Sequence, residues 1–171
     1  MRELILGGAR SGKSRLAETR ARASGLAVTY IATAERGDDE MAARIERHRE
    51  RRPADWRTVE APRALAAALE REAAPGRLLL VDCLTLWLGN LIADPPALAR
   101  ERAALLAGLA ASPGALVLVS NEVGLGLVPA DALSRRFRDE AGWLHQGVAE
   151  ACERVTFVAA GLPLTLKGPP G

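Results

Sequence analysis

Glu3–Glu18 reads "ELILGGARSGKSRLAE": a short apolar run, a glycine-rich bend, then a helix-forming stretch. The bend places Gly7, Gly12, Lys13 and Ser14 at the spacing GxxxxGK[ST], between a predicted strand (Glu3–Leu6) and a predicted helix (Lys13–Ala23). That context gives the spacing its meaning, because the glycines let successive backbone N–H groups point at one phosphate and the helix N-terminus adds its partial positive charge. Residues 7–14 (Gly7, Gly8, Ala9, Arg10, Ser11, Gly12, Lys13 and Ser14) are therefore expected to cradle a nucleoside triphosphate. Lys13 would span its outer phosphates, and the Ser14 hydroxyl would ligate Mg²⁺ or another divalent cation.

Outward from this loop, short apolar runs alternate with longer amphipathic stretches, the pattern of an α/β chain. Strands are expected at Ala27–Ala32, Trp56–Glu60, Arg77–Cys83, Ala115–Gly124 and Arg154–Ala160. Helices are expected at Met41–Arg52, Pro62–Ala74, Leu84–Ala93, Asp94–Ala111 (capped by Asp94) and Asp131–Cys152. The tail "LPLTLKG" suits an antiparallel edge strand, where Pro163 is tolerated. The 171 residues show no repeat, low-complexity tract or linker and read as one domain, 1–171, built on a mostly parallel sheet with helices on both faces.

Composition narrows the class. With 49% hydrophobic and 26% charged residues the chain is ordinary globular material. A net charge of +2 implies neither nucleic acid nor membrane as a partner. No stretch approaches the roughly 18 apolar residues of a membrane span, and the N-terminus lacks a signal peptide, so a cytoplasmic protein is expected. Cys83 and Cys152 have no CxxC spacing and read as buried free thiols in a reduced compartment.

Open parallel sheets bind ligands beyond the carboxyl ends of their strands. Gly7, Thr33, Asp82, Asn121 and Glu122 should gather there. Asp82, after "LLLV", is the best candidate for the metal side of a nucleotide site; the alternative is an N-cap for the helix from Leu84, with Thr85 supporting the turn, and both roles can coexist. Glu122 either orients a substrate hydroxyl or ends its strand in a polar turn.

The stretch "MAARIERHRERRP", Met41–Pro53, carries five arginines around His48. Charge runs are usually solvated faces. Helical spacing nonetheless aligns His48 with Met41, Arg44 and Ile45 on the inward face, and spacing alone favours a packed histidine over a catalytic one. Close to a phosphate loop, arginines suit phosphate clamping and a neutral imidazole suits attack on an α-phosphate. His145 reads as structural or exposed, and Trp56, Trp87 and Trp143 read as packing residues.

The blocks "LGGARSGKSRLAE", "YIATAE", "DDEMAARIERHRERRPADWRTVE", "LLLVDCLTLWLGNL", "LVSNEVGLGLVP", "RRFRDEAGWLHQ" and "GLPLTLKG" cover nearly the whole chain. Together they resemble the bifunctional adenosylcobinamide kinase/adenosylcobinamide-phosphate guanylyltransferases of cobalamin biosynthesis, and the block around His48 is the most specific of them. The resemblance implies a P-loop NTPase (RecA-like) fold assembled as a homotrimer. It implies that ATP or GTP phosphorylates adenosylcobinamide, that His48 then takes GMP from GTP, and that adenosylcobinamide phosphate accepts the GMP. By family position Thr33, Ala34, Glu35, Arg49, Glu50, Arg51, Arg52, Glu60 and Asp82 complete the guanine-nucleotide site, with His48 and Lys13 catalytic. Two other readings remain: a P-loop small-molecule kinase without guanylyl transfer, and an RNA-binding GTPase-like module gripping through the arginines. The second fits poorly with the small net charge and with the absence of an aromatic stacking surface.

Overall fold

A computed structural model describes residues 1–35, 37 and 53–169. Its strands are β1 (Arg2–Gly7), β2 (Ala27–Ala32), β3 (Arg57–Glu60), β4 (Arg77–Asp82), β5 (Ala115–Asn121), β6 (Arg154–Ala159) and β7 (Leu162–Lys167). Its helices are α1 (Lys13–Ala23), α2 (Leu65–Glu72), α3 (Leu84–Leu91), α4 (Pro95–Ala111) and α5 (Ala132–Ala151). The strands form one sheet in the order β3-β2-β4-β5-β1-β6-β7, parallel throughout except for the antiparallel β6–β7 pair.

Central strands of such a sheet are covered on both sides, so they are apolar without alternation. Leu78–Val81 of β4 and Leu116–Val119 of β5 are accordingly all buried. Their side chains divide by parity. Leu78, Leu80, Val117 and Val119 join Ile5 and the α1 residues Ala17 and Ala21 on one face. Leu79, Val81, Leu116 and Leu118 join Leu4, Leu6 and the apolar faces of α2–α5 on the other. The covering is thus uneven among the described residues: one helix on the first face, four on the second. Ala17 and Ala21 lie four residues apart on one helical face, and both are fully buried against the sheet.

Local chemistry sets the element ends. Asp94 caps α4, its Oδ1 accepting from Ala97 N at 3.1 Å, with proline at the first helical position. Asp131 caps α5 in the same way, through Ser134 N at 2.8 Å. The helix expected over Pro62–Ala74 is shorter, Leu65–Glu72. Ala73 is already extended, and Pro75, which disfavours the helical region for Ala74 before it, keeps the helix from resuming. The strand expected to reach Gly124 ends at Asn121. Ala160 and Gly161 link β6 to β7 with φ of 52° and 80°, the two positive values of a two-residue hairpin turn.

Trp87 is fully buried and Trp56 packs beside the α1-side core with Arg22 over its ring at 5.9 Å. Trp143 is a correction: it is 56% exposed rather than packed. The core face of α5 runs through Ala141, Leu144, His145 and Val148, and Trp143 falls on the opposite side of that helix. His145 is buried, so of its two expected readings the exposed one fails. The helix expected at Met41–Arg52 lies outside the described residues.

Candidate active site

The strand β1 runs into the bend at Gly7 because no side chain fits there: a Cβ on Gly7 would stand 2.5 Å from both Ser11 Oγ and Val158 O. The bend closes by Ser11 N donating to Gly8 O at 3.3 Å, with Arg10 at φ 55° and Gly12 at φ 100°. Such values cost a side chain energy, and glycine takes them freely. Gly12 is the N-cap of α1; it offers no side-chain cap, and the first turn holds no acidic residue. No side chain caps the opening N–H groups of α1, where the helix dipole favours an anion. Lys13 is buried, and its Nζ folds back to donate to Gly8 O at 3.0 Å, which lays its charge across the bend. Ser14 follows in the first helical turn, half-buried.

The bend is also braced from the far end of the chain. Gly161 N donates to Ser11 O at 2.8 Å, and a Cβ on Gly12 would lie 3.2 Å from Gly161 Cα. Ser11 Oγ is buried with no hydrogen-bond partner among the described residues.

Register puts the other strand ends on the same edge. Gly7 stands beside Asn121 and Val158, while Ala32 stands beside both Asp82 and Glu60. Asp82 shares strand parity with Leu78 and Leu80, so it belongs to the face covered by α1 and the bend. Its Oδ2 is buried and has no hydrogen-bond partner among the described residues. The capping alternative for Asp82 is corrected: it is the last residue of β4, and Cys83 occupies the N-cap position of α3 without a side-chain cap.

Thr33 is fully buried, its hydroxyl held between the two backbone groups of Cys83: Oγ1 donates to Cys83 O at 2.7 Å and accepts from Cys83 N at 2.8 Å. Asn90 Nδ2 donates to Thr33 O and to Pro62 O, both at 2.8 Å. Ala34 is half-buried, and Glu35 and Glu60 are exposed at the same strand ends. Burial pushes the Cys83 thiol up, the Asp82 carboxylate adds to the rise, and the charge of Lys13 opposes it. Cys83 is thus a neutral packing group.

At the end of β5, Asn121 Nδ2 donates to Thr85 Oγ1 at 2.7 Å, and Glu122 N donates to Gly7 O at 3.0 Å. The Glu122 carboxylate accepts from Gly124 N, which closes the polar turn after the strand. Behind it, Ser120 Oγ and His145 Nε2 are 2.7 Å apart in the core. Burial lowers the His145 pKa, with Glu122 opposing. The links through Asn90, Thr85, His145 and Gly161 were not expected from the sequence; each joins residues far apart in the chain. His48, Arg49, Glu50, Arg51 and Arg52 lie outside the described residues.

Taken together, the edge offers a backbone cradle, one buried ammonium, a half-buried hydroxyl and a carboxylate oxygen without a hydrogen-bond partner among the described residues, which suits a nucleoside triphosphate. A solved protein of Pyrococcus horikoshii OT3 shares the fold, at a TM-score of 0.60 and 7% identity over 99% of this chain and 87% of that one. The chain is 67% identical to the bifunctional adenosylcobalamin biosynthesis protein CobP of Pseudomonas aeruginosa, over 99% of each. It is 41% identical to the bifunctional adenosylcobalamin biosynthesis protein CobU of Escherichia coli, over 96% of this chain and 98% of the relative. CobU of Salmonella typhimurium is 42% identical with the same coverage. Residues 3–166 match the family described as cobinamide kinase / cobinamide phosphate guanyltransferase. The family model over residues 3–166 and the near full-length relatives agree, and the chain is a member of that family: an enzyme of the cobinamide kinase / cobinamide phosphate guanyltransferase family.

Proposed function

We propose that the two activities of the family run on this one sheet edge, with His48 as the carrier of GMP. The observation that supports the reading best is the pairing of the cradle at Gly7–Ser14 with the unpartnered Asp82 Oδ2 on the same face of the sheet. In the kinase step, the cradle N–H groups and Lys13 hold the triphosphate of ATP or GTP while a hydroxyl of adenosylcobinamide attacks the γ-phosphorus. The bond from that phosphorus to the β-bridging oxygen breaks, and the nucleoside diphosphate leaves. Lys13 balances charge on the transferring group and on the leaving oxygen.

Ser14 and Asp82 are the residues that would hold Mg²⁺. They fit it, because the cation takes hard oxygen donors and Asp82 presents an oxygen with no hydrogen-bond partner among the described residues. When bound, Mg²⁺ neutralises charge on the phosphate oxygens. In the guanylyl step, a neutral His48 nitrogen attacks the α-phosphorus of GTP and pyrophosphate leaves, forming a P–N bond. A phosphate oxygen of adenosylcobinamide phosphate then attacks that phosphorus, the P–N bond breaks, and adenosyl-GDP-cobinamide forms. Arg49, Arg51 and Arg52 clamp the phosphates, with Thr33, Ala34, Glu35, Glu50 and Glu60 around the nucleoside. A neutral imidazole and cationic neighbours agree, since nearby positive charge disfavours protonation of the histidine. The reading includes a homotrimer, a cytoplasmic location and no nucleic-acid partner.

The test is incubation with α-³²P-GTP and Mg²⁺ followed by denaturing electrophoresis. An acid-labile, alkali-stable label that vanishes in His48→Ala supports the carrier role. Wild-type protein that phosphorylates adenosylcobinamide yet never takes up label would leave the small-molecule kinase reading in its place. Lys13→Ala should abolish phosphorylation, and unchanged turnover would refute the use of the cradle.

A further inference from the structure

Asn90 lies on α3, away from the cradle, and neither the motif nor the resemblance gives it a task. Its carboxamide has two N–H groups, and both are engaged: one side chain donates to Thr33 O and to Pro62 O, each at 2.8 Å. Thr33 is the first residue after β2 and Pro62 the second after β3. The ladder between those strands ends with Ala61 N donating to Ala32 O at 2.8 Å, so Asn90 prolongs the tie beyond the last backbone bond.

Asn90 is itself anchored. Trp87 Nε1, one turn earlier on α3, donates to Arg63 O at 2.8 Å, and the Arg63 guanidinium returns to Asn90 O. Thr33 completes the chain of contacts by holding both backbone groups of Cys83, the residue that follows Asp82. One carboxamide thus fixes the exits of β2 and β3 relative to each other and to the end of β4. We infer that Asn90 is a positioning residue for the guanine-nucleotide wall: it touches no nucleotide and sets where Thr33–Glu35 and Glu60 stand relative to Asp82. The inference rests on the placement of the nucleotide given under Proposed function.

The chemistry of the contact fixes the informative substitution. Asn90→Asp keeps the shape and replaces the NH2 group, with both its donors, by one acceptor oxygen facing two carbonyls, which drives the two exits apart. Asn90→Ala removes the tie without adding repulsion. The full-length variants are assayed for GMP transfer at varied GTP, for GTP affinity by calorimetry, and for thermal unfolding. Misplaced binding groups lose affinity steeply, so the KM and Kd for GTP should rise about tenfold in Asn90→Asp and less in Asn90→Ala, with kcat held within about twofold. Val148→Ala, a cavity in the core of α5 remote from α3's tie, should lower the melting temperature and leave the KM for GTP unchanged.

Unchanged KM and Kd in the Asn90 variants, or an equal rise in Val148→Ala, would overturn the inference in favour of a purely structural role. Should Asn90→Asp not fold, Asn90→Ala carries the comparison. If wild-type protein transfers no GMP, the proposed function fails on that result alone, and the calorimetric comparison of wild type with Asn90→Ala still decides the positioning role.

Discussion

Replacing Thr33 by valine is the sharpest test of how the site's floor is held. The side chains have nearly the same shape, so the change removes one oxygen and little else. That oxygen serves two backbone groups of Cys83, at 2.7 and 2.8 Å, inside a region from which water is excluded. Leaving a buried donor or acceptor unpaired costs about 1–3 kcal/mol for each group. Cys83 N is orphaned, while Cys83 O keeps its bond from Trp87 N at 3.2 Å and loses about 1 kcal/mol, so we expect Thr33→Val to destabilise by about 2–4 kcal/mol. A chain of this length unfolds with an entropy of about 0.36 kcal/mol/K, so the melting temperature should fall by about 6–11 °C. Thr33→Ser keeps the hydroxyl and loses one methyl, for about 1 kcal/mol and about 3 °C. Circular dichroism melts of the three proteins at one concentration and pH make the comparison. A valine variant as stable as the serine variant would refute the reasoning, because it would mean that the hydroxyl contributes less than the methyl.

Gly7→Ala should lower kcat/KM for phosphorylation by about a hundredfold, since its Cβ would meet a rigid backbone oxygen, Val158 O, at 2.5 Å and push the cradle out of register; steady-state kinetics with ATP measure this, and near-normal turnover would contradict the packing described. Burial lowers the His145 pKa below its unfolded value of about 6.5, so the unfolded chain binds more protons than the folded one below that pH. Its contribution to stability is therefore complete above about pH 6.5 and is lost as the pH falls towards the folded value. Urea titrations between about pH 7.5 and 5 should show a shallower loss of stability in His145→Gln than in wild type, and parallel curves would rule out the assignment.

How much of this was legible in the sequence depends on how local each feature is. The cradle was legible residue by residue, because the glycine, lysine and serine act within one bend and the flanking apolar and helical periods locate it. The strands of the sheet's middle were legible for a similar reason: "RLLLVD" and "ALVLVSN" are unbroken apolar runs that only a doubly covered sheet can bury. Asp82 was placed at the right strand end, but its capping reading could be excluded only by seeing that Cys83 takes the cap of α3. The Thr33–Cys83 and Asn90–Thr33 contacts bridge 50 and 57 positions, and no period or spacing in a single chain encodes such pairs. Trp143 was misread because an aromatic in an amphipathic helix is assumed to face inward; here the small residue Ala141 and the histidine His145 share the inward face, and the indole is left in solvent.

The brace between Gly161 and Ser11 links the order of synthesis to competence. Gly161 is made 150 positions after Ser11. At about 5–20 residues per second, roughly 8–30 s separate the two. Throughout that interval the emerging chain holds the complete Gly7–Ser14 stretch but lacks the hydrogen bond and the glycine packing that fix its shape. The bend is therefore finished by a hairpin made much later, and its settled shape marks a chain whose sheet has been closed as far as β7.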